Sequence, residues 1–289
     1  MDSAFEEVLF RQNHAGFEVD VVDLADIKRR SDELNPVPNE PHKVDFNLLI
    51  LVETGQGYHR IDFEEVPYGA GHAIFIKKGQ VQAFDFAGGL SGKVILYTNP
   101  FLDVLGTSLK TTFILNSHLP ATFPPFLCMN QQLKNSVNAL TGELQGELKK
   151  DSPLIEITVS LFGALIMMLA RENAEKHRLD KVINTKFFTF QHLIEHDFNC
   201  NRNANDYADK LGMAYKTLNV LCKKVTGLTA KAYIDQRVIL EAKRYLTIQQ
   251  SDITSLAYEL GFSDVTSFIK FFKRYVGMTP KQFRQKVRD

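Results

Sequence analysis

A six-residue pattern that occurs twice near the end of the chain constrains the fold more than any other feature. Ala208-Asp209-Lys210-Leu211-Gly212-Met213 lines up with Ala257-Tyr258-Glu259-Leu260-Gly261-Phe262 at an offset of 49. Further on, Lys223-Lys224-Val225-Thr226-Gly227-Leu228-Thr229 lines up with Lys273-Arg274-Tyr275-Val276-Gly277-Met278-Thr279 at an offset of 50, which assigns one extra residue to the helix between in the second copy. The residue types have a physical logic. A small residue (Ala208, Ala257) lets two helices approach closely, and a leucine (Leu211, Leu260) fills the core. A glycine (Gly212, Gly261) then admits the left-handed backbone of a tight turn. Two copies are too few for a solenoid, so the pattern predicts two tandem helix-turn-helix units.

In the second helix of each unit, Leu218, Leu221 and Cys222, or Phe268, Phe271 and Phe272, form the inward face. The outward faces carry Tyr215, Lys216, Asn219 and Val220 in the first unit, and Val265, Thr266, Ile269 and Lys270 in the second, with Ser267 near the helix start. These positions can meet base edges in a major groove, Val265 through a thymine methyl. Lys223, Lys224, Lys273 and Arg274, at the helix ends, suit phosphates. Ser263 is a good N-cap for the second reading helix, whereas Ala214 at the matching place is a poor one. Between the units, Ala232–Leu246 reads as a linking helix. Tyr233, Ile234, Val238, Leu240, Ala242 and Leu246 lie on its apolar positions, and Arg237, Lys243 and Arg244 are expected to face out. Such a helix fixes the spacing of the two readers, and a spacing near 34 Å would admit both to adjacent major grooves.

Charge supports a divided chain. The formal net charge is zero, but Thr185–Asp289 holds 17 Lys+Arg against 10 Asp+Glu, a net of +7, and the remainder is −7. Asymmetry of this kind points to a nucleic-acid-binding part joined to something else. Cys128, Cys200 and Cys222 have no paired spacing, which argues against a disulfide framework or a zinc site. The start of the chain lacks an apolar stretch typical of a secretory signal. The longest apolar run, Ile157–Ala170, is too short to span a bilayer. A cytoplasmic protein with no membrane partner is expected.

Earlier in the chain the texture differs. Phe46–Val52 fits a buried strand, and Gly55-Gln56-Gly57 a turn. Tyr58–Glu65 alternates as a half-buried strand does, with a further turn at Pro67–Gly71. Ala73–Ile76, Gln80–Phe86 and Val94–Tyr97 are short strands. Close-spaced strands with Gly and Pro turns suggest a β-barrel or sandwich. Phe46, Tyr58, Phe63, Phe75 and Phe84, with Lys77, are the candidate contacts for a small effector, and His59, Arg60 and Lys78 are further surface groups that could meet an anionic one. Ser152-Pro153 then starts a helix to about His177 whose apolar stripe (Leu154, Ile157, Leu161, Leu165, Met168 and Leu169, with Val159, Phe162 and Ile166 beside them) is wide enough to cover the barrel and also meet a second copy, making a homodimer through Pro153–His177. The charged stretch Arg171–Lys186 is the expected linker, dividing residues 1–180 from 181–289.

Gly261-Phe262-Ser263, Phe268, Phe271-Phe272-Lys273-Arg274-Tyr275-Val276-Gly277-Met278-Thr279-Pro280 and Phe283-Arg284 together resemble the C-terminal signature of the AraC/XylS family of transcription regulators, over about Phe187–Arg288. The resemblance implies two helix-turn-helix units joined by a long helix, double-stranded DNA as partner, and RNA polymerase as a second partner where the member is an activator, as many are. Pro41-His42, Phe46, Gly55-Gln56-Gly57, Gly69-Ala70-Gly71 and Lys78-Gly79-Gln80-Val81-Gln82 are similar to the cupin-like effector-binding and dimerisation module of such regulators. The implied fold is α+β: a cupin-like β-barrel with a helical pair, then an all-α domain of two helix-turn-helix units. Two departures matter. His42 stands alone and Gln82 falls where metal-binding cupins often place a histidine, so no metal, cofactor or catalytic residue is expected. Val220 falls where relatives often carry a polar or basic residue, so the first unit is expected to read bases more weakly. The competing readings are a cupin enzyme with a DNA-binding tail, and a regulator controlled without a small effector.

Overall fold

The computed structural model describes residues 7–10, 17–30, 38–86, 88–109, 126–177, 181–248 and 252–288. The chain divides into two compact units, one ending at Arg178 and one starting at Leu179.

The first unit runs β1 (Glu7–Val8), β2 (Val19–Asp23), α1 (Leu24–Arg29), β3 (His42–Val44), β4 (Asn47–Thr54), β5 (Gly57–Ile61), β6 (Glu64–Tyr68), β7 (His72–Ile76), β8 (Val81–Ala83), β9 (Ser91–Tyr97), α2 (Asn99–Leu109), β10 (Phe126–Cys128), α3 (Gln131–Leu148) and α4 (Ile155–His177). The strands form two five-stranded sheets, ordered β1-β3-β8-β5-β6 and β10-β7-β4-β9-β2. Among the described residues the pairings are antiparallel except for β1 with β3.

Strand β4 explains the layering. Its Leu48, Ile50 and Val52 enter a core shared by both sheets, with Val44, Ile61, Val66, Ile74 and Ile76. Its Leu49 and Leu51 point the other way, into a core with Phe75, Ile95 and Tyr97 that helices α3 and α4 cover through Leu133, Val137, Phe162, Leu165 and Ile166. A strand buried on both faces has to be apolar at nearly every position, which is why Asn47–Thr54 reads as a continuous apolar run. The two sheets face one another across their core instead of closing into one ladder, so the barrel expectation becomes a sandwich of cupin-like sheets backed by a helical pair. Helix α4 starts two residues later than Ser152-Pro153 suggests. The buried Glu147 at the end of α3 accepts the Leu154 N–H at 2.8 Å and takes over the capping. The outer face of α4 leaves Leu154, Ile157 and Met167 exposed and Leu161, Ala164 and Met168 half-buried.

The second unit is helical: α5 (Lys181–Asp197), α6 (Ala204–Lys210), α7 (Tyr215–Thr226), α8 (Ala230–Ile248), α9 (Ile253–Glu259), α10 (Val265–Val276) and α11 (Pro280–Arg288). It has two cores threaded by one helix. Phe187, Phe190, Tyr207, Leu218 and Cys222 pack with the first half of α8 through Ile234. Ala257, Phe268, Phe272 and Phe283 pack with its second half through Val238, Ala242 and Leu246. Helices packed around both halves of α8 also occupy its polar positions, so Arg237 and Arg244 do not face solvent as expected. Arg237 pairs with Glu195 and Glu241, both at 2.8 Å, and lies over the Phe198 ring. Arg244 is buried and pairs with Glu241 at 3.2 Å. Lys243 is half-buried. Among the described residues no helix is long and apolar enough to cross a membrane.

Candidate functional site

The two turns form as their glycines demand: Gly212 has φ +61° and Gly261 φ +73°, in the left-handed region. The reading helices α7 and α10 are both 12 residues long. The extra residue of the second copy therefore lies in the turn and not in the helix: Met213 and Ala214 separate Gly212 from α7, whereas Phe262, Ser263 and Asp264 separate Gly261 from α10. That insertion moves the cap. Asp264, not Ser263, is the N-cap of α10. Its carboxylate accepts the Ser267 N–H at 2.8 Å and the Ser267 hydroxyl at 2.7 Å. The Ser267 hydroxyl bond, then the Ser267 and Thr266 backbone bonds, hold this carboxyl below the usual range, and its charge complements the positive helix end. Ala214 caps α7 with no side-chain hydrogen bond.

On α7, Tyr215, Lys216, Val220, Lys223 and Lys224 are exposed, and on α10 so are Thr266, Ser267, Lys270, Lys273 and Arg274. Val265 and Ile269 are half-buried and pack on the second core, which withdraws much of their surface. Asn219 is also half-buried. Its side-chain oxygen accepts the Ala230 N–H at 2.9 Å, where it ties the reading helix to the first residue of α8. Aligned on the reading helices, Val220 occupies the place of Lys270 and is 61% exposed, an apolar side chain in water on the outward face.

The two units are braced in ways that motif reading missed. Arg202, in the loop before α6, donates to the Gly261 carbonyl at 3.0 Å, and its guanidinium lies 3.7 Å above the Phe262 ring. The backbone of that loop is so close that a Cβ on Gly261 would lie 2.0 Å from the Asn199 carbonyl oxygen. On the first half of α8, the buried Asp235 accepts from Lys231 at 2.5 Å and from the Tyr275 hydroxyl of α10 at 2.7 Å. The only sequence signal for this brace is an acid at an inward position of the linking helix.

In the first unit a cavity of about 230 Å³ opens against the core between the sheets. Of the effector candidates, Phe46 and Phe84 line it. The strand period of two sends the others elsewhere. Tyr58, on the outward side of β5, is 55% exposed, and Phe63, after the β5 strand, is exposed too. Phe75 enters the core under the helices. Lys77, past the end of β7, is half-buried, and its backbone N–H donates to the Gln80 side chain at 2.7 Å.

His59, expected at the surface, is fully buried. It belongs to a chain of side-chain hydrogen bonds that the cavity reaches at His42 and Gln82. His42 Nδ1 meets the Glu40 carbonyl at 2.8 Å and must carry the proton. Its Nε2 then accepts from Gln82 Nε2 at 2.5 Å. Gln82 Oε1 in turn accepts from His59 Nε2 at 3.0 Å, which leaves His59 Nδ1 buried without a partner. The order of donors fixes both tautomers. Burial pushes the pKa of both rings down, His59 to about 4, so both are neutral at pH 7. Among the described residues no group of three or more His, Cys, Asp or Glu is arranged to hold a metal ion.

The chain matches two family models in tandem: an AraC-like ligand binding domain over residues 38–160 and a helix-turn-helix domain over residues 207–286. Among curated relatives, the HTH-type transcriptional activator RhaS of Escherichia coli strain K12 is 25% identical over 245 residues, which span 84% of this chain and 87% of the relative. Among solved structures, ToxT of Vibrio cholerae with bound unsaturated fatty acid is 16% identical, covering 95% of this chain and 97% of that one, with a TM-score of 0.47. The C-terminal domain of the two-component response regulator yesN from Fusobacterium nucleatum is 30% identical, covering 33% of this chain and 93% of that one, with a TM-score of 0.31. With tandem helix-turn-helix units behind a ligand-binding domain, the chain belongs to the AraC family of DNA-binding transcription regulators.

Proposed function

We propose that the chain is a transcription activator, and not an enzyme, that sets two unequal reading helices into adjacent major grooves under the control of a small molecule held in its first unit. The observation that carries the reading is the duplicated helix-turn-helix frame with basic, exposed outer faces. In the second unit Lys270 and Thr266 read bases, while Lys273, Arg274 and the Ser267 end of the helix meet phosphates. In the first unit Tyr215, Lys216 and Val220 face bases, and Lys223 and Lys224 face phosphates. Asn219, Val265 and Ile269 contribute through packing more than through contact, given their bonds and burial.

Residues 1–180 act as the effector-binding and dimerisation domain and residues 181–289 as the DNA-binding domain. The effector role rests on the match to an AraC-like ligand binding domain and on the cavity beside Phe46 and Phe84. Dimerisation rests on α4 and the residue before it: Leu154 and Ile157, exposed, and Leu161, Ala164 and Met168, half-buried, follow steps of three and four, the spacing of a coiled-coil seam. Activation, with RNA polymerase as the partner and the cytoplasm as the place, is inferred from the relative named a transcriptional activator. Genome-wide mapping of bound DNA tests the core of this reading. Discrete sites upstream of genes whose transcripts fall when the chain is deleted are expected; uniform coverage, or transcripts that rise, would sink it.

A further inference from the structure

The cavity of the first unit has a chemistry more specific than its family assignment. Its walls are aliphatic and aromatic, formed by Val22, Ile27, Phe46, Leu48, Phe84 and Leu96. Among the described residues its polar groups lie in two places. At the inner end are the buried Gln82 and His42. The other polar groups, Asp26 and Arg30, belong to the more exposed face of α1 and the residue after it, where Asp26 already accepts from Arg29 at 2.7 Å.

At the inner end the hydrogen-bonding capacity is largely used. His42 is engaged at both nitrogens. Gln82 gives one N–H to His42 and one oxygen lone pair to His59, which leaves one N–H and one lone pair open among the described residues. We propose that the cavity takes an uncharged, mostly apolar small molecule with a single oxygen function, an alcohol or a carbonyl, bound to the side-chain amide of Gln82. This rests on the reading of the first unit as an effector domain and narrows it.

Hydrogen bonding, charge and size select that class. A sugar brings several hydroxyls, and each one buried without a partner weakens binding roughly tenfold or more; among the described residues the aliphatic and aromatic walls offer them no partner. An anion at the inner end would meet a neutral amide and the His42 imidazole that burial keeps neutral, and Arg30, the one cation among the described lining residues, belongs to the exposed side. Size sets the rest. An apolar cavity of about 150 Å³ holds benzene, so the cavity of about 230 Å³ takes a molecule of about nine heavy atoms on the same scale.

Calorimetric titration of the full chain with four probes tests this: 3-phenylpropan-1-ol, propylbenzene, 3-phenylpropanoate and glucose. The alcohol is expected to bind, propylbenzene about tenfold more weakly for want of one hydrogen bond, and the other two not measurably. Gln82→Met should erase the difference between alcohol and hydrocarbon, and Leu96→Phe should weaken both by filling the space. If Gln82→Met does not fold, the ranking of the four probes on the unaltered chain still decides. Glucose or the carboxylate binding as tightly as the alcohol, with Leu96→Phe still blocking it, overturns the proposed class and leaves the effector cavity standing. Binding of none of the four, or binding indifferent to Leu96→Phe, overturns the cavity as a ligand site.

Discussion

Tyr275 donates its phenolic hydrogen to the buried carboxylate of Asp235 at 2.7 Å, across 40 residues of sequence. The bond joins the second reading helix to the first half of the linking helix, which belongs to the core of the first unit. Asp235 is thus satisfied partly from each side, by Lys231 on its own helix and by Tyr275 on α10. Tyr275→Phe removes one donor to a buried charge and is expected to cost about 2 kcal/mol of unfolding free energy, read from urea melts. It should also loosen the spacing of the two readers. An operator with its half-sites moved apart by about half a helical turn should bind the variant with a smaller penalty than the unaltered chain. Equal penalties would mean that this bond does not set the spacing.

Lys270 and Lys273 stand one turn apart on the same exposed face and are expected to behave differently. Lys270→Ala should reduce discrimination between specific and random DNA by roughly 1–3 kcal/mol. Lys273→Ala should weaken all sequences alike and lower the salt slope of binding by about one. Salt-controlled gel shifts on both kinds of DNA separate the two, and the same signature in both variants would refute the division of roles.

Asn219 caps the start of the linking helix instead of standing free on the reading face. Asn219→Ala is expected to cost about 1 kcal/mol of stability, the usual loss at a helix cap, with little change in the ratio of specific to random affinity. A large fall in that ratio with an unchanged melting curve would restore Asn219 as a base reader.

The buried histidine of β5 links stability to pH. Burial lowers the His59 pKa from 6.5 to about 4. Above pH 6.5 the ring is neutral whether the chain is folded or not. Below it the unfolded chain takes up a proton that the folded chain refuses, so stability falls as pH drops from 6.5 to 4, by up to about 3 kcal/mol. The lowered pKa of His42 acts in the same direction. In urea melts at pH 7.5, 6 and 4.5, His59→Gln should flatten the loss; parallel curves for the two proteins would exclude His59 as a source.

Ile157, 39% exposed, is the most exposed seam residue within α4. Ile157→Glu should leave the thermal melt of dilute protein nearly unchanged and shift sedimentation from dimer to monomer. A dimer that survives the change would place the interface elsewhere.

These expectations depend on how residues pair at a distance, which is the part that the sequence hid. The duplicated glycines, the leucines before them and the aromatic run of α10 are local signals, and they led directly to the two turns and the inward faces. The run Phe46–Val52 likewise announced a buried strand. Caps and polar networks follow different rules. Ser263 and Asp264 are both good caps, and only the length of the turn decides between them. Arg244 reads as solvent-facing until α8 is seen wrapped by helices on both sides. His59, grouped with Arg60 as a group that could meet an anion, lies on the opposite face of the strand from Tyr58 and Arg60, and its ring turns inward to Gln82, 23 residues away. The effector candidates were split by the same periodicity, with Phe46 and Phe84 reaching the cavity and Phe75 facing the helices.

The two turn glycines carry different evolutionary freedom. Around Gly212 a side chain would meet open space, whereas at Gly261 it would collide with the Asn199 backbone. Asparagine, which tolerates the left-handed region better than most residues, fits at Gly212, while any side chain at Gly261 runs into backbone. The turn of the first helix-turn-helix can therefore carry a side chain, whereas the turn of the second is locked to glycine by the loop packed against it.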